Sequence, residues 1–475
     1  MLNDYLYNEI IKVLVFEPLE SQKNLIRKLS DFALSESDNT NLFLLNGYAG
    51  TGKTSIIAAF IKVFEKHAIN TVLLAPTGRA AKVLNAYSGK AAFTIHKKIY
   101  RQQSAGIGND RFVMDINLHK NTIFFVDEAS MISNQSYDNA LFGTGRLLDD
   151  LIEYVYNEKN CKLVLIGDQA QLPPVKLDIS PALNAKELEH YRLSIIEHEL
   201  TDVIRQAKES GTLYNATSIR NMIQSDKSRY DLPKIKLDGF KDVKRAFGND
   251  LIETLADAYQ KFGTKETVII CRSNIRANKY NQGIRNMIFY NENEISSGDL
   301  VMIVKNNYFW AEGIEDIDFI ANGDIAEIVK IHQYTERYGF RFADVTLQFH
   351  DYNDCNIKAK IILDTLSSES ASLSAEQNMQ LYKNVEEDFL DIANKKNRYK
   401  KIREHEFFNA LQIKFAYAVT CHKAQGGQWK KVFIDQGRIT KEMVNKEYLR
   451  WLYTAFTRTT NELDLINFSD DFFND

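Results

Sequence analysis

Cysteine is scarce in this 475-residue chain: Cys161, Cys271, Cys355 and Cys421 are all it has, far apart and without a C-x-x-C pair. That argues against a disulfide framework or a zinc ribbon and fits a reduced compartment. Long apolar runs are missing too. Although 44% of the residues are hydrophobic, no uninterrupted stretch reaches the roughly 18 residues a membrane helix needs. The opening residues, Met1-Leu-Asn-Asp-Tyr5, lack the charged-then-apolar pattern of a secretory leader. A soluble, cytoplasmic protein with no membrane partner is expected. An excess of positive charge is also absent, since 59 Lys and Arg against 63 Asp and Glu leave a net charge of −4. This counts against a uniformly basic nucleic-acid binder, but a strand needs only a local groove of cations and backbone amides. Composition alone describes a generic cytoplasmic enzyme.

What is present is size and rhythm. The chain is several times the usual domain of roughly 100–200 residues, so two to four packed units are expected. Short apolar runs at 42–45, 72–74, 122–126 and 163–166, and again at 268–270, 415–419, 432–434 and 463–466, alternate with helical patterns. Runs this short, bounded by Gly, Pro or Asp, read as buried parallel strands of α/β domains. After the first run, Ile56, Ile57, Phe60, Ile61 and Phe64 share one helical face. Two regions break the rhythm. Residues 101–120 contain Ser-Ala-Gly-Ile-Gly-Asn-Asp between polar and apolar stretches and predict an inserted β-hairpin. Residues 286–404 lack βα alternation; the runs at 298–304, 323–329 and 344–349 predict antiparallel strands of a small barrel, and the charged stretch 386–406 a solvated helix. No internal repeat or low-complexity linker separates the units.

Gly47-Tyr-Ala-Gly50-Thr51-Gly52-Lys53-Thr54 matches the P-loop pattern G-x-x-x-x-G-K-[ST] in full, between a predicted strand and a predicted helix. Its glycines let backbone N–H groups turn inward around phosphate oxygens, and the helix N-terminus adds partial positive charge. Lys53 is expected on the β- and γ-phosphates of ATP and the Thr54 hydroxyl on Mg²⁺. A chance Gly-rich turn would not bring both flanking elements. Phe124-Phe-Val-Asp127-Glu128 supplies a strand ending in two carboxylates. Alone this could be a helix N-cap. Beside a P-loop, Asp127 suits Mg²⁺ and Glu128 the activation of the attacking water. Arginines brought from elsewhere stabilise the transferring phosphoryl. Arg205 in Leu200-Thr-Asp-Val-Ile-Arg205 and Arg458 in Leu452-Tyr-Thr-Ala-Phe-Thr-Arg458 are the candidates, though either alone reads as a surface cation.

With these segments the chain resembles superfamily 1 helicases of the RecD-like/Dda branch. Gln22 sits where the family's adenine-reading glutamine sits. Ala75-Pro-Thr-Gly-Arg-Ala-Ala81 is similar to motif Ia, Phe93-Thr-Ile-His96 to motif Ib and Asp127-Glu-Ala-Ser130 to motif II. Gly167-Asp-Gln-Ala-Gln171-Leu-Pro-Pro-Val175 resembles motif III, whose Gln171 would sense the γ-phosphate. Val419-Thr-Cys-His-Lys-Ala-Gln-Gly-Gly427 resembles motif V, with Ala424 where Ser is usual, and 453–458 resembles motif VI. The resemblance implies two RecA-like parallel-sheet domains with ATP between them, the second supplying Arg205 and Arg458. The first would occupy 1–199 with the hairpin 101–120, and the second 200–285 with 405–475. An SH3-like barrel would fill 286–404, unless it is only a packing module. It further implies 5′→3′ movement by a monomer along single-stranded DNA toward a duplex fork, with repair, recombination and service to a phage or mobile element all left open, and places Thr77, Thr94, His96, Thr420 and His422 on strand-contacting loops. His96 by itself reads as an ordinary packed histidine.

Hairpin 101–120 stands where this branch carries its strand-separating pin. Gly106 and Gly108 could supply the turn, and Phe112 a flat ring at the fork, unless Phe112 tucks into the core. An RNA helicase or a protein-stripping translocase is the nearest alternative. A P-loop NTPase without a polymer substrate would have no use for the motif Ia and motif V runs. No additional Asp/Glu/Lys cluster with metal-ligand spacing speaks for a nuclease.

Overall fold

The computed structural model describes residues 2–35, 41–102, 112–135, 142–202, 209–225, 230–314, 317 and 319–473. The four apolar runs of the first half, with two strands that no apolar run marked, Ala92–Thr94 and Ser194–Leu200, form one six-stranded sheet. Its order is Ala92–Thr94, Asn70–Ala75, Thr122–Val126, Lys162–Gly167, Asn41–Gly47 and Ser194–Leu200, with every pairing parallel. Side chains alternate across a strand, so each run serves two layers. Phe43, Leu45, Leu73, Phe125 and Val164 face a core built with the helices Glu20–Leu34 and Lys53–Lys66. Leu42, Leu44, Leu74, Phe124 and Leu163 face the other, built with the helix Leu147–Tyr156. Burial on both faces is why these runs read as continuously apolar instead of alternating.

A second parallel sheet has the order Ala418–Thr420, Thr267–Cys271, Trp429–Asp435, Thr459–Ile466 and Val243–Ala246. Between its parts lies a closed barrel of Leu300–Ile303, Ile325–Arg337, Phe340–Phe349, Cys355–Ile362 and Leu411–Phe415. The chain is therefore an α/β protein of two RecA-like domains with a five-stranded barrel inserted in the second. The barrel's closing strand lies beyond the expected 286–404 span. Residues 415–419, read as one parallel strand, divide: Phe415 pairs antiparallel with Val301 in the barrel, and Ala418 pairs parallel with Ile269 in the sheet. An apolar run has no mark for the kink that hands it from one sheet to the next. The charged stretch 386–406 is only partly a solvated helix. The helix Lys395–Arg403 is largely exposed but sends Ile402 into a small core with Phe340, Leu381, Val385 and Phe407.

Barrel and second sheet share a core joined by a buried ion pair. Arg285 donates through Nε to Asp299 Oδ1 at 3.0 Å, and Tyr417 donates to the same oxygen at 3.1 Å. The other oxygen accepts the Ser296 N–H at 2.7 Å. Removing one partner of such a pair strands a buried charge, which costs about 3–5 kcal/mol. Arg285→Met is therefore expected to lower the thermal unfolding midpoint of the second domain clearly. Arg341→Met, at an exposed pair with Asp364, should barely move it. Equal midpoints for the two variants would show that Asp299 finds other compensation.

Candidate nucleotide site and strand-facing surface

The P-loop forms because strand Asn41–Gly47 ends where the helix Lys53–Lys66 must begin, and the turn between them requires left-handed backbone. Gly50 and Gly52 adopt φ of 75° and 83°, a region a side chain strains. Gly47 has a different reason. A Cβ there would lie 2.7 Å from Lys53 Cδ, in the space the lysine stem occupies. Lys53 Nζ donates to the Tyr48 carbonyl at 2.9 Å and also to that of Gly47. The Thr51 hydroxyl is spent on the Tyr48 carbonyl at 2.8 Å, so Thr51 shapes the loop and does not face the cleft. Gln22 is fully buried behind the loop. Its Nε2 donates to the Thr51 carbonyl at 2.8 Å, and its Oε1 accepts the Leu19 N–H at 2.8 Å.

A cleft of about 370 Å³ opens in front of the loop. Gly50, Gly52, Lys53 and Thr54 line it together with Asp127, Glu128 and Gln171 from the first domain; Thr212, Leu213, Gln428 and Arg458 close it from the second. Both acidic residues follow strand Thr122–Val126. Glu128 holds φ 53°, a left-handed conformation uncommon outside glycine and frequent at functional sites. Burial, and then the Glu128 carboxylate, raise the Asp127 pKa, while the Glu128 N–H and Lys53 act against them. Two carboxylates that repel each other in a buried cleft, with the Thr54 hydroxyl on the same wall, are a donor set that suits a divalent cation. Gln171 is buried with its Oε1 unpartnered among the described residues, at the wall of the cleft.

Arg458 enters from the far side. Its Nη1 lies 3.9 Å from Glu128 Oε1, and its other contacts hold it to its own domain. Nε donates to the Thr454 carbonyl at 3.1 Å and Nη1 to that of Gly427 at 3.2 Å. Arg205 lies outside the described residues. The residues that sew the two domains together were given no role from the sequence. Tyr453 donates to Asp168 Oδ2 at 2.6 Å and accepts the Ala49 N–H of the P-loop at 2.9 Å. Thr454 Oγ1 accepts the Leu172 N–H at 2.9 Å, and Gln425 Nε2 donates to the Leu172 carbonyl at 2.6 Å. A signal existed: two hydroxyl side chains on the buried helix Lys446–Phe456, just before Arg458, need partners.

The strand-loop candidates divide. Thr77 caps the helix Gly78–Ser88 and faces motif V, where a Cβ on Gly426 would lie 3.0 Å from its hydroxyl. Thr94 is buried and caps Ile95–Ile99 by accepting the Lys97 N–H at 3.1 Å. Thr420 precedes Cys421–Ala424 without capping it, and His422 is exposed. His96 follows the packed reading. Its ring lies 4.8 Å from Phe142, 5.8 Å from Tyr100 and 6.1 Å from Phe319, and burial pushes its pKa down to about 4.

The expected hairpin exists as Tyr100–Gln102 paired with Phe112–Met114, but its turn, with Gly106 and Gly108, lies outside the described residues. Phe112 requires correction. It is 7% exposed and packs on Phe142 at 4.8 Å and on Tyr308, from the barrel insertion, at 4.6 Å, so its ring is not presented to a fork. An aromatic ring at the base of a hairpin gains more from such a cluster than from water. Between the helix Gly78–Ser88 and the barrel turn at 350–354 runs a groove of about 660 Å³, with Lys82, Lys97, Phe93 and Phe319 on its walls beside Asp351 and Asp354. Among the described residues no helix is long and apolar enough to cross a membrane.

Residues 20–222 match the family described as an AAA domain, and 415–466 match the UvrD-like helicase C-terminal domain. The RecBCD enzyme subunit RecD of Buchnera aphidicola (subsp. Schizaphis graminum) is 24% identical over 91% of this chain and 71% of its own length. The ATP-dependent DNA helicase Dda of enterobacteria phage T4 is 26% identical over 82% of this chain and 86% of its own. A Pif1 helicase from Bacteroides, solved with ADP-AlF3 and single-stranded DNA, aligns over 97% of this chain and 95% of that one with 16% identity and a TM-score of 0.48. The ordered motifs, the two matched family regions and the relatives that align over most of this chain support a superfamily 1 helicase of the RecD-like/Dda branch.

Proposed function

We propose that this protein is an ATP-dependent DNA helicase that moves 5′→3′ along single-stranded DNA and unwinds the duplex ahead. One observation carries the reading: the cleft that holds the P-loop is completed by Arg458 from the other domain, 3.9 Å from Glu128. Turnover in such a cleft cannot be separated from the relative position of the two domains, which is the requirement for a motor. Of the relatives, Dda of phage T4 bears the name of an ATP-dependent DNA helicase.

In this reading Lys53 leaves the Gly47 and Tyr48 carbonyls for the β- and γ-phosphates of ATP. Thr54 and Asp127 would hold Mg²⁺, which supplies positive charge against the phosphates. Glu128 orients and deprotonates the attacking water, and Arg458, with Arg205, meets the charge that develops on the transferring phosphoryl. Gln171, at the wall of the cleft, reports the γ-phosphate to Leu172, whose N–H and carbonyl are held by Thr454 and Gln425. For Gln22 to read the adenine, its amide must leave the Thr51 carbonyl and the Leu19 N–H. The strand is expected along Thr77, Thr420, His422 and the groove walled by Lys82 and Lys97, where backbone contacts and aromatic faces bind without reading sequence.

Polarity is tested by unwinding of duplexes with a single-stranded tail at one end. A 5′ tail should support strand separation and a 3′ tail should not. Unwinding from a 3′ tail alone would place the motor on the opposite track, and stimulation of ATP turnover by RNA in preference to DNA would change the substrate class.

A further inference from the structure

Arg79 leaves the first turn of the helix Gly78–Ser88 and crosses the seam between the domains. Its guanidinium lies 3.8 Å from the centre of the Trp429 ring, and its Nη2 donates to the Gln428 carbonyl at 3.0 Å. Burial works against its charge, while Asp351 and Glu266 favour it only through space. Trp429 is 3% exposed, and its backbone N–H donates to the Arg458 carbonyl at 3.0 Å. Gly427 makes room for the stack. A Cβ there would lie 2.6 Å from the Trp429 ring and 2.9 Å from Arg79 Cδ, while the Gly427 carbonyl accepts from Arg458 Nη1 at 3.2 Å. The contacts run without a break from the strand-facing helix, two residues past Thr77, to the arginine at the nucleotide.

The energetics suit a contact that forms and breaks. A desolvated guanidinium gains from stacking on an indole face. Taking the cation out of water costs an opposing amount that, among the described residues, no carboxylate at ion-pair distance offsets. When the domains part, Arg79 regains water, so neither arrangement is strongly preferred and a modest bias decides between them.

We propose that Arg79 is a positioning residue that couples strand binding to ATP turnover: seated on Trp429, it carries closure at the strand-facing helix to Arg458. The inference rests on the helicase reading above. It adds a residue that touches neither nucleotide nor reacting atoms and acts through an aromatic ring of the other domain. Lysine would keep the charge but not the planar face, and phenylalanine in place of Trp429 would keep an aromatic face.

The test measures ATP turnover with and without a saturating oligo-dT strand, and oligo-dT affinity by fluorescence anisotropy, in wild type, Arg79→Met, Arg79→Lys, Trp429→Leu and Trp429→Phe. Arg79→Met should lower the strand-stimulated kcat by roughly tenfold or more. Its unstimulated kcat should stay within about twofold and its strand affinity within about threefold of wild type. Arg79→Lys should not restore stimulation, and Trp429→Phe should keep most of what Trp429→Leu loses. Full stimulation in Arg79→Met would overturn the proposal. So would restored kcat at higher strand concentration, which marks a plain phosphate contact, or an equal fall in stimulated and unstimulated kcat, which marks packing. Wild type without any strand stimulation would instead overturn the helicase reading beneath it, before any variant is compared.

Discussion

Lys53→Ala and Glu128→Gln are each expected to reduce strand-stimulated ATP turnover by about 10³-fold or more, and for different reasons. In the proposed mechanism Lys53 is the P-loop cation, and losing it would remove the charge set against the β- and γ-phosphates. Nucleotide affinity should fall together with kcat. The same substitution frees the carbonyls of Gly47 and Tyr48, which Lys53 now engages. These can turn to water in the open cleft, so the unfolding midpoint should hold. Glu128→Gln keeps the shape and the hydrogen-bonding capacity of the side chain while losing its basicity. Binding should survive and hydrolysis should not, leaving ATP trapped on the enzyme in a form that filter binding detects. Glu128 already holds a left-handed backbone conformation at the end of its strand, so the carboxylate is placed before any substrate arrives. If Glu128→Gln turns over at a rate near wild type, the water is activated by another group and Asp127 becomes the next candidate.

The second large effect concerns Arg458. Arg458→Ala should lower kcat by roughly 10³-fold or more, while DNA affinity measured without nucleotide changes little. The geometry explains the split. Arg458 faces Glu128 across the cleft at 3.9 Å, and its remaining donors go to Thr454, Gly427 and Thr457 within its own domain. None of these partners is a strand-loop candidate. Arg458→Lys should rescue poorly, since one ammonium cannot hold two carbonyls and also reach the phosphoryl group. A kcat within about threefold of wild type in Arg458→Ala would remove the residue from the nucleotide site. Its buried contacts would then be read as structural.

The phosphate site was legible from sequence because its chemistry is local. The Gly-rich turn, the lysine and the hydroxyl sit within eight consecutive residues that open the following helix, and the acidic pair directly follows an apolar strand. Backbone conformation and side-chain type at fixed spacing decide such a motif, whatever surrounds it. The two parallel sheets were legible for a related reason: strands buried on both faces must be apolar throughout, and short apolar runs survive inspection one at a time. The barrel was half legible. Its antiparallel strands near 300, 325 and 345 carry the pattern, but the closing strand Leu411–Phe415 runs on to the sheet strand Ala418–Thr420 with no Gly, Pro or polar turn residue between them.

Tertiary structure alone decided which side chains meet. Phe112 has the same sequence neighbourhood whether it caps a fork or packs inward, and the barrel residue Tyr308, nearly two hundred positions away, settles it. His96 carries a pattern that admits a strand contact, yet Phe142 and Phe319 surround the ring and keep it neutral. The hydroxyl contacts of Tyr453 with Ala49 and Asp168, and the stack of Arg79 on Trp429, join segments more than 280 residues apart. A pairing across such a distance leaves no periodicity and no spacing in the chain, because only the docking of the two domains sets it. The sequence determined what this protein can bind and hydrolyse, through residues whose roles follow from local geometry. How hydrolysis at one end of the cleft is tied to movement at the other is decided by packing between domains, where burial and hydrogen-bond satisfaction operate over the whole fold.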